Sequence, residues 1–285
     1  SYLSDTFGGG VMYNTPISET EYIGVGYDIL LKQYTTTIAS PIIVTHHVAD
    51  HGDRSLGVDL KANYSSDTRN RTRFAETGIL HSLSGNLFLG VDGASYISGR
   101  YNTEVNIPYT IKTFGFDWNT VFLLKTQLGI GAGLFQTTSL PFYNKFFAGG
   151  NTSVRGFKAA SLGPLTYNAP RGVNTCAPKQ VPGELIKCDA VGGDFLSVAQ
   201  FDWLFPPPPF LGEDARNFRT SLFIDAGNVF EKINNFDYNE LRACYGFQVN
   251  VSTPVGAVSV GFANALKDEL GDDFQSVIFR LGGKF

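Results

Sequence analysis

The sequence predicts an all-β chain folded as an antiparallel transmembrane β-barrel. Three observations carry that expectation. Apolar and polar residues alternate with a period of two through nearly every segment, the mark of strands with one apolar and one polar face. Several of these segments run to ten or more residues, beyond the five or six usual in soluble sheets. That is enough to cross a bilayer, which takes about 9–11 residues per strand. Aromatic residues collect near strand ends, at Trp118, Tyr64, Phe201, Trp203 and Phe205, where barrels carry interfacial girdles. A soluble β-sandwich alternates as well, but it accounts for neither the lengths nor the girdle.

Eleven crossings are legible in order. The first two, near 7–15 and 22–34, flank a short connection at 16–21. The third, 56–65, sets Leu56, Val58, Leu60, Ala62 and Tyr64 against Asp59, Lys61 and Asn63. The fourth, 77–90, lies where the alternation is poorest. The fifth, 95–107, sets Ile97, Tyr101, Val105 and Ile107 against Arg100, Asn102, Glu104 and Asn106. In the sixth, 118–134, Trp118, Phe122, Leu124, Leu128, Ile130 and Ala132 oppose Asn119, Lys125 and Gln127. The next two, 193–205 and 218–228, carry Gln200 and Asp202, then Arg219, Ser221 and Asp225, on their polar sides. In 241–253 the odd positions are apolar, from Leu241 to Val251, and the even ones include Arg242, Cys244, Gln248 and Asn250. Crossings at 255–265 and 274–285 complete the set.

Short connections such as 16–21 and 254–256 alternate with long ones at 35–54, 140–192 and 229–240, as when every second connection faces the periplasm. An odd strand count is unusual for a bacterial barrel, and unpaired edges cannot face lipid. The expectation is therefore that strands are missing at the N-terminus and that residues 1–285 are one barrel domain's C-terminal portion.

Composition narrows the classes further. A formal charge of −4 without basic runs argues against a nucleic-acid partner. No run of eighteen apolar residues occurs, so no transmembrane helix is expected, which leaves a strand-built span untouched. Residues 1–6 have neither the charged nor the apolar region of an export signal. The expectation is that such a signal has been removed or lies upstream.

The segment 147–157, between the sixth and seventh crossings, is glycine-rich and holds a single arginine, Arg155. Gly149, Gly150 and Gly156 allow a tight excursion that other residues resist. Strand parity turns Asp202 and Asp225 toward the barrel interior, opposite the lipid-facing Phe201, Trp203, Leu222 and Ile224. The segment resembles the GG-x-x-x-VRG-(F/Y) signature of the BamA family, which inserts barrels into bacterial outer membranes. The resemblance runs over most of the chain and is most specific over 141–225. PFYNKFFAGGNTSVRGF and SLGP match the start of that family's long extracellular loop, and CAPKQVPGELIKCDAVGGDF its later part. AQFDWLFPPPP and RTSLFIDAGNVF match the two strands that follow, and the closing FRLGGKF is similar to the terminal recognition signal of outer-membrane barrels.

This resemblance implies a barrel of about sixteen strands whose loop, at about 140–192, folds back into the lumen. Gly149, Gly150, Val154, Arg155, Gly156 and Phe157 would form a lock in which the Arg155 fork meets Asp202 and Asp225. It implies that periplasmic N-terminal domains are absent from this chain. The implied partners are the outer-membrane bilayer, unfolded barrel clients and accessory lipoproteins bound through those domains. It also implies a lateral seam beside the last strand, at Phe279, Leu281, Gly282, Gly283 and Phe285, to which a client strand adds. The two glycines either weaken the terminal pairing or ease a barrel corner. The alternatives are a translocation pore of a two-partner secretion system, which shares the arginine loop, and a passive porin. The cysteine pair and the DAVGG stretch count against the first; the arginine signature, which a porin does not need, counts against the second.

The remaining groups point to no chemistry. Cys176 and Cys188 lie in one polar stretch, and a disulfide between them would contribute about 3 kcal/mol and imply an oxidising compartment. Two unrelated thiols or half a zinc site are the alternatives, although CxxC spacing and nearby histidines are both absent. His46, His47 and His51 form a possible metal cluster without an HExxH pattern. The prolines at 206–209 suit a rigid periplasmic turn. His81 has Ser82 and Ser84 nearby but no activated nucleophile arrangement. GGNTSVRG lacks the Lys-Ser/Thr of a P-loop. No catalytic residue, metal or cofactor is expected.

Overall fold

The computed structural model describes residues 2–36, 40, 44–45, 48–49, 52–72, 74–91, 94–113, 116–167, 188–206, 217–253, 256–269 and 272–281. Eleven strands form one antiparallel sheet, each bonded to its neighbour in the chain. They are β1 (Tyr2–Pro16), β2 (Glu21–Thr36), β3 (Arg54–Asp67), β4 (Gly78–Gly90), β5 (Ser95–Thr113) and β6 (Phe116–Leu134), followed after a long loop by β9 (Phe195–Phe205), β10 (Phe218–Phe230), β11 (Arg242–Thr253), β12 (Gly256–Lys267) and β13 (Val277–Leu281). The intervening β7 (Leu165–Tyr167) and β8 (Cys188–Ala190) pair only with each other, inside the loop between β6 and β9.

The eleven expected crossings are present, with shifted ends. β1 begins at Tyr2, ahead of the expected 7–15, because Tyr2 to Thr6 pair with Thr36 to Lys32. β5 runs past Pro108, which faces Val121 of β6. A proline removes one donor, and a long hairpin carries the ladder beyond it. Gly282, Gly283 and Phe285 lie outside the described residues, as do Cys176, His46, His47, His51 and Pro207 to Pro209. β4 alternates poorly for a structural reason. Its inward side carries Phe88, fully buried and stacked on Tyr96 at 5.2 Å, while its outward side carries His81 and Gly85.

Strand ends fall on two rims: β1 and β2, β3 and β4, β5 and β6, β9 and β10, and β11 and β12 are joined at one, and β2 and β3, β4 and β5, β6 and β9, β10 and β11, and β12 and β13 at the other. The expected alternation of short and long connections therefore has exceptions at 68–77, at 206–217 and at 91–94.

The outer face is apolar. Val25, Ile29, Ile224 and Phe262 are 53 %, 53 %, 50 % and 63 % exposed in the chain by itself, a belt that only lipid would cover without penalty. Phe122 stacks against Phe201 and Trp203 at 5.8 and 5.7 Å along it. The inner face holds buried Asp59, Asn106, Gln200, Asp202, Asp225, Gln248 and Asn250. Its apolar core comes from the 135–194 loop, whose Leu140, Phe146, Val154, Phe157 and Leu162 pack on Leu196, Val198, Phe223 and Ile278.

Ile224→Arg, midway along β10 on its outer face, should lower the unfolding free energy of the bilayer-embedded protein by about 2–4 kcal/mol. Urea titration in lipid vesicles reads that loss, and the same titration in detergent micelles should read a smaller one.

Candidate functional site

The loop enters the barrel between two anchors that close it at its root. Asp194, just before β9, accepts the Leu140 N–H at 3.1 and 3.2 Å and lies 3.8 Å from the Lys145 ammonium. Its carbonyl takes the Gly131 N–H at 2.8 Å. Cations from the wall sit over loop rings, Lys32 over Tyr143 at 4.4 Å and Arg100 over Phe146 at 5.3 Å.

The tip is a tight turn. Gly149 and Gly150 have φ of 102° and 87°, a region that only glycine enters freely. The Gly149 N–H donates to Ser153 Oγ at 2.8 Å, Ser153 N–H to the Gly150 carbonyl at 3.1 Å, and Gly150 N–H to the Phe157 carbonyl at 2.8 Å. Two wall amides hold the turn from outside, Gln127 donating to the Thr152 carbonyl at 2.7 Å and Gln200 to that of Ser153 at 2.6 Å.

That turn delivers Arg155 to the inner wall, 6 % exposed. Nε donates to Asp225 Oδ2 at 2.7 Å and Nη2 to Asp225 Oδ1 at 2.6 Å. Nη1 and Nη2 donate to Asp202 Oδ1 and Oδ2 at 2.7 and 3.1 Å, and Nη1 also to Gln248 Oε1 at 3.2 Å. All five guanidinium N–H groups are thereby engaged. The Arg155 backbone N–H adds a bond to Asp225 Oδ2 at 2.9 Å. Burial opposes the arginine's charge, but the two carboxylates outweigh it and hold its pKa above the ordinary value.

The wall is built to receive a flat cation. Asp202, Phe223 and Gly246 stand opposite one another on β9, β10 and β11. The absent side chain at Gly246 leaves room for the Phe223 ring, over which the guanidinium lies at 3.8 Å. One row away, Asp225 stands opposite Gln200 and Cys244. The β11–β12 register shifts between Ala243 and Cys244, a bulge that re-aims side chains at this point. The Cys244 sulfur accepts the Gly156 N–H at 3.2 Å. A methyl group on Gly156 would stand 2.7 Å from Cys244 Cβ and 2.9 Å from Phe274, so this glycine serves close approach rather than turn geometry. Val154 and Phe157 are fully buried, with Phe157 edge-on to Phe274 at 5.7 Å.

Gly149, Gly150, Val154, Arg155, Gly156, Phe157, Asp202 and Asp225 thus meet in one place. Phe279 and Leu281 lie on β13 with their side chains outward and exposed. The Cys176–Cys188 pairing falls partly outside the described residues, and Cys244 is a buried free thiol. His81 contacts Tyr101 Oη at 2.8 Å and Thr103 Oγ1 at 3.1 Å. Sequence parity placed Gln127, Gln200, Gln248 and Cys244 on the polar faces of their strands but gave them no part in the lock; Phe223, which breaks the polar pattern of its face, was missed altogether.

Comparison with known proteins follows the same lines. The chain matches the Omp85 superfamily domain over residues 1–285. The outer membrane protein assembly factor BamA of Neisseria meningitidis serogroup B is 27 % identical over 318 residues, covering 100 % of this chain and 37 % of that protein. A SAM50-like protein of Drosophila melanogaster is 25 % identical over 208 residues, 72 % of this chain and 40 % of that protein. In fold, the crystal structure of BamA from Haemophilus ducreyi lacking POTRA domains 1-3 is similar with a TM-score of 0.79 at 24 % identity, over 98 % of this chain and 54 % of that one. CdiB from Acinetobacter baumannii is similar with a TM-score of 0.53 at 13 % identity, over 96 % of this chain and 41 % of that one. The chain therefore spans well under two thirds of each relative.

Arg155→Ala should cost about 3–5 kcal/mol, because two buried carboxylates lose their counter-charge. Asp225→Asn should cost more than Asp202→Asn, since Asp225 is fully buried and also holds the loop backbone. Thermal unfolding of the three variants, followed by the gel mobility of folded barrel, gives the order.

Proposed function

The chain belongs to the Omp85 superfamily, and on that footing we propose that it is the C-terminal barrel portion of an outer-membrane assembly factor that folds and inserts other β-barrel proteins. The observation that carries this reading is a loop arginine buried inside the barrel with every N–H bonded to the wall. A passive porin has no need of such a fixture. A two-partner translocation pore shares the arginine loop, and what favours assembly over it is the 27 % identity to an assembly factor along the whole of this chain.

Insertion in this reading involves no covalent step. Clients meet the barrel beside β13, whose Val277 to Leu281 pair with β12 among the described residues. A strand adding there forms main-chain hydrogen bonds, and the client's own folding supplies the driving force. The Arg155 lock keeps the loop seated, so the wall formed by β9, β10 and β11 stays in one shape while the edge exchanges partners. Accessory lipoproteins and the remaining strands of a barrel of about sixteen belong to the same proposal.

The test uses the full-length protein in liposomes with an unfolded client barrel. Client insertion should occur with wild type and fall at least about tenfold with Arg155→Ala, equivalent to roughly 1.4 kcal/mol or more, while Arg155→Lys should restore little because a lysine offers no planar fork. No insertion by any protein, with large and steady ion conductance instead, would replace this reading with that of a pore.

A further inference from the structure

Among the described residues, the sheet ends at β13, whose Val277 to Leu281 pair with Phe262 to Val258 of β12. No described strand of this chain pairs with the other side of β13. Antiparallel pairs alternate between residues that exchange N–H···O bonds and residues that do not. The Ala263 N–H donates to the Ser276 carbonyl at 2.8 Å, one step before the Val277–Phe262 pair. Ile278 and Arg280 therefore turn their backbone groups toward β12, while Val277, Phe279 and Leu281 turn theirs toward the edge.

The arginine loop already sits on that edge. The Gln275 N–H donates to the Gly156 carbonyl at 2.9 Å, and the Lys158 N–H to the Asp273 carbonyl at 2.9 Å. Phe157 stands opposite Phe274 in an antiparallel bridge between these two bonds. Residues 156–158 are thus paired as a short added strand on the segment that leads into β13. Farther along, the Asn151 amide donates to the Phe279 carbonyl at 2.7 Å, and the Gln275 side-chain amide donates to the Val277 carbonyl at 3.0 Å. Two of the three edge-facing carbonyls of β13 are occupied by side chains.

We infer that residues 151–158 are a resident cap on the edge of β13, occupying the hydrogen-bonding positions that an incoming barrel strand must take. The inference rests on the insertion reading for the identity of the incoming strand, though not for the existence of the cap. An open strand edge is a template for unwanted pairing; a cap bonded through a few exchangeable groups protects it and is displaced by a strand offering a full ladder. Asn151 is the positioning residue. It is half-buried at the loop tip, and its side chain takes no part in the Arg155 bonds.

The experiment uses the full-length protein in phospholipid vesicles and a synthetic peptide of alternating apolar residues ending in Phe, carrying a photo-crosslinker. Capture of the peptide at residues 277–281 is compared among wild type, Asn151→Ala, Asn151→Asp and Asn151→Ala combined with Gln275→Ala. Asn151→Asp keeps the shape and removes the donor, so both Asn151 variants should raise capture about five- to tenfold and the double variant more. Measurable capture that is equal in all four proteins overturns the cap. Backbone amide exchange at Gln275 and Lys158, read without peptide, separates this from the insertion reading. Slow exchange in wild type that quickens in the variants sustains the cap even if no protein captures peptide, an outcome that would instead sink the insertion reading. Fast exchange in wild type overturns the cap whatever the peptide does.

Discussion

The structure depends on one buried cation. Arg155 brings a positive charge into a barrel wall where three strands present Asp202, Asp225 and Gln248 around the ring of Phe223. Each of those groups would be costly without the others. Two carboxylates on one wall repel and are poorly solvated, and a guanidinium out of water needs all its donors met. Together they satisfy one another at 2.6–3.2 Å, with five donors matched to five acceptor contacts. The energetic consequence is asymmetric: the assembled set is of modest net value, and any single deletion is expensive.

That asymmetry explains how residues 140–162 are held against the inner wall. A segment of this length entering a barrel gives up considerable conformational entropy, and its backbone groups need partners once inside. The lock supplies the fixed point, and the apolar side chains on either side of it, Val154 and Phe157, then fill the lumen against Leu196, Phe223 and Ile278. Gly156 allows the backbone to come against Cys244 and Phe274 closely enough for both halves to form. Polar fixture and apolar core therefore depend on each other within four residues.

Much of this was legible in the sequence, for a physical reason. A strand facing lipid on one side and a wet lumen on the other must alternate strictly, so eleven crossings and the inward direction of Asp202 and Asp225 follow from parity alone. The pairing of Arg155 with those two aspartates followed from a family resemblance, since parity places acceptors on a wall but not a loop against them. What escaped was the region where the inner wall is not wet. Phe88 and Phe223 point inward because the loop covers them, and they blur the period where the loop packs. The strand ends of β1 and β5 were misjudged for another reason: backbone pairing continues through Ser4, Asp5 and Pro108, beyond the expected 7–15 and 95–107. The edge contacts of Asn151 and Gln275 had no signal, because they join segments far apart in sequence through backbone carbonyls that any residue carries.

The two attachments of the loop differ in strength, and the difference suits an edge that must exchange partners. On the wall side a charged, fully paired guanidinium resists removal by about 3–5 kcal/mol. On the β13 side the contacts are neutral hydrogen bonds to backbone, each with a net value of about 0.5–1.5 kcal/mol, and Asn151 and Gln275 are at least partly exposed to competing water. A strand adding along the edge would replace those few bonds with a longer ladder while the lock remained closed. The loop would then act as a hinge fixed at Arg155, and the barrel could release its last strand without losing the core that keeps the other ten in place.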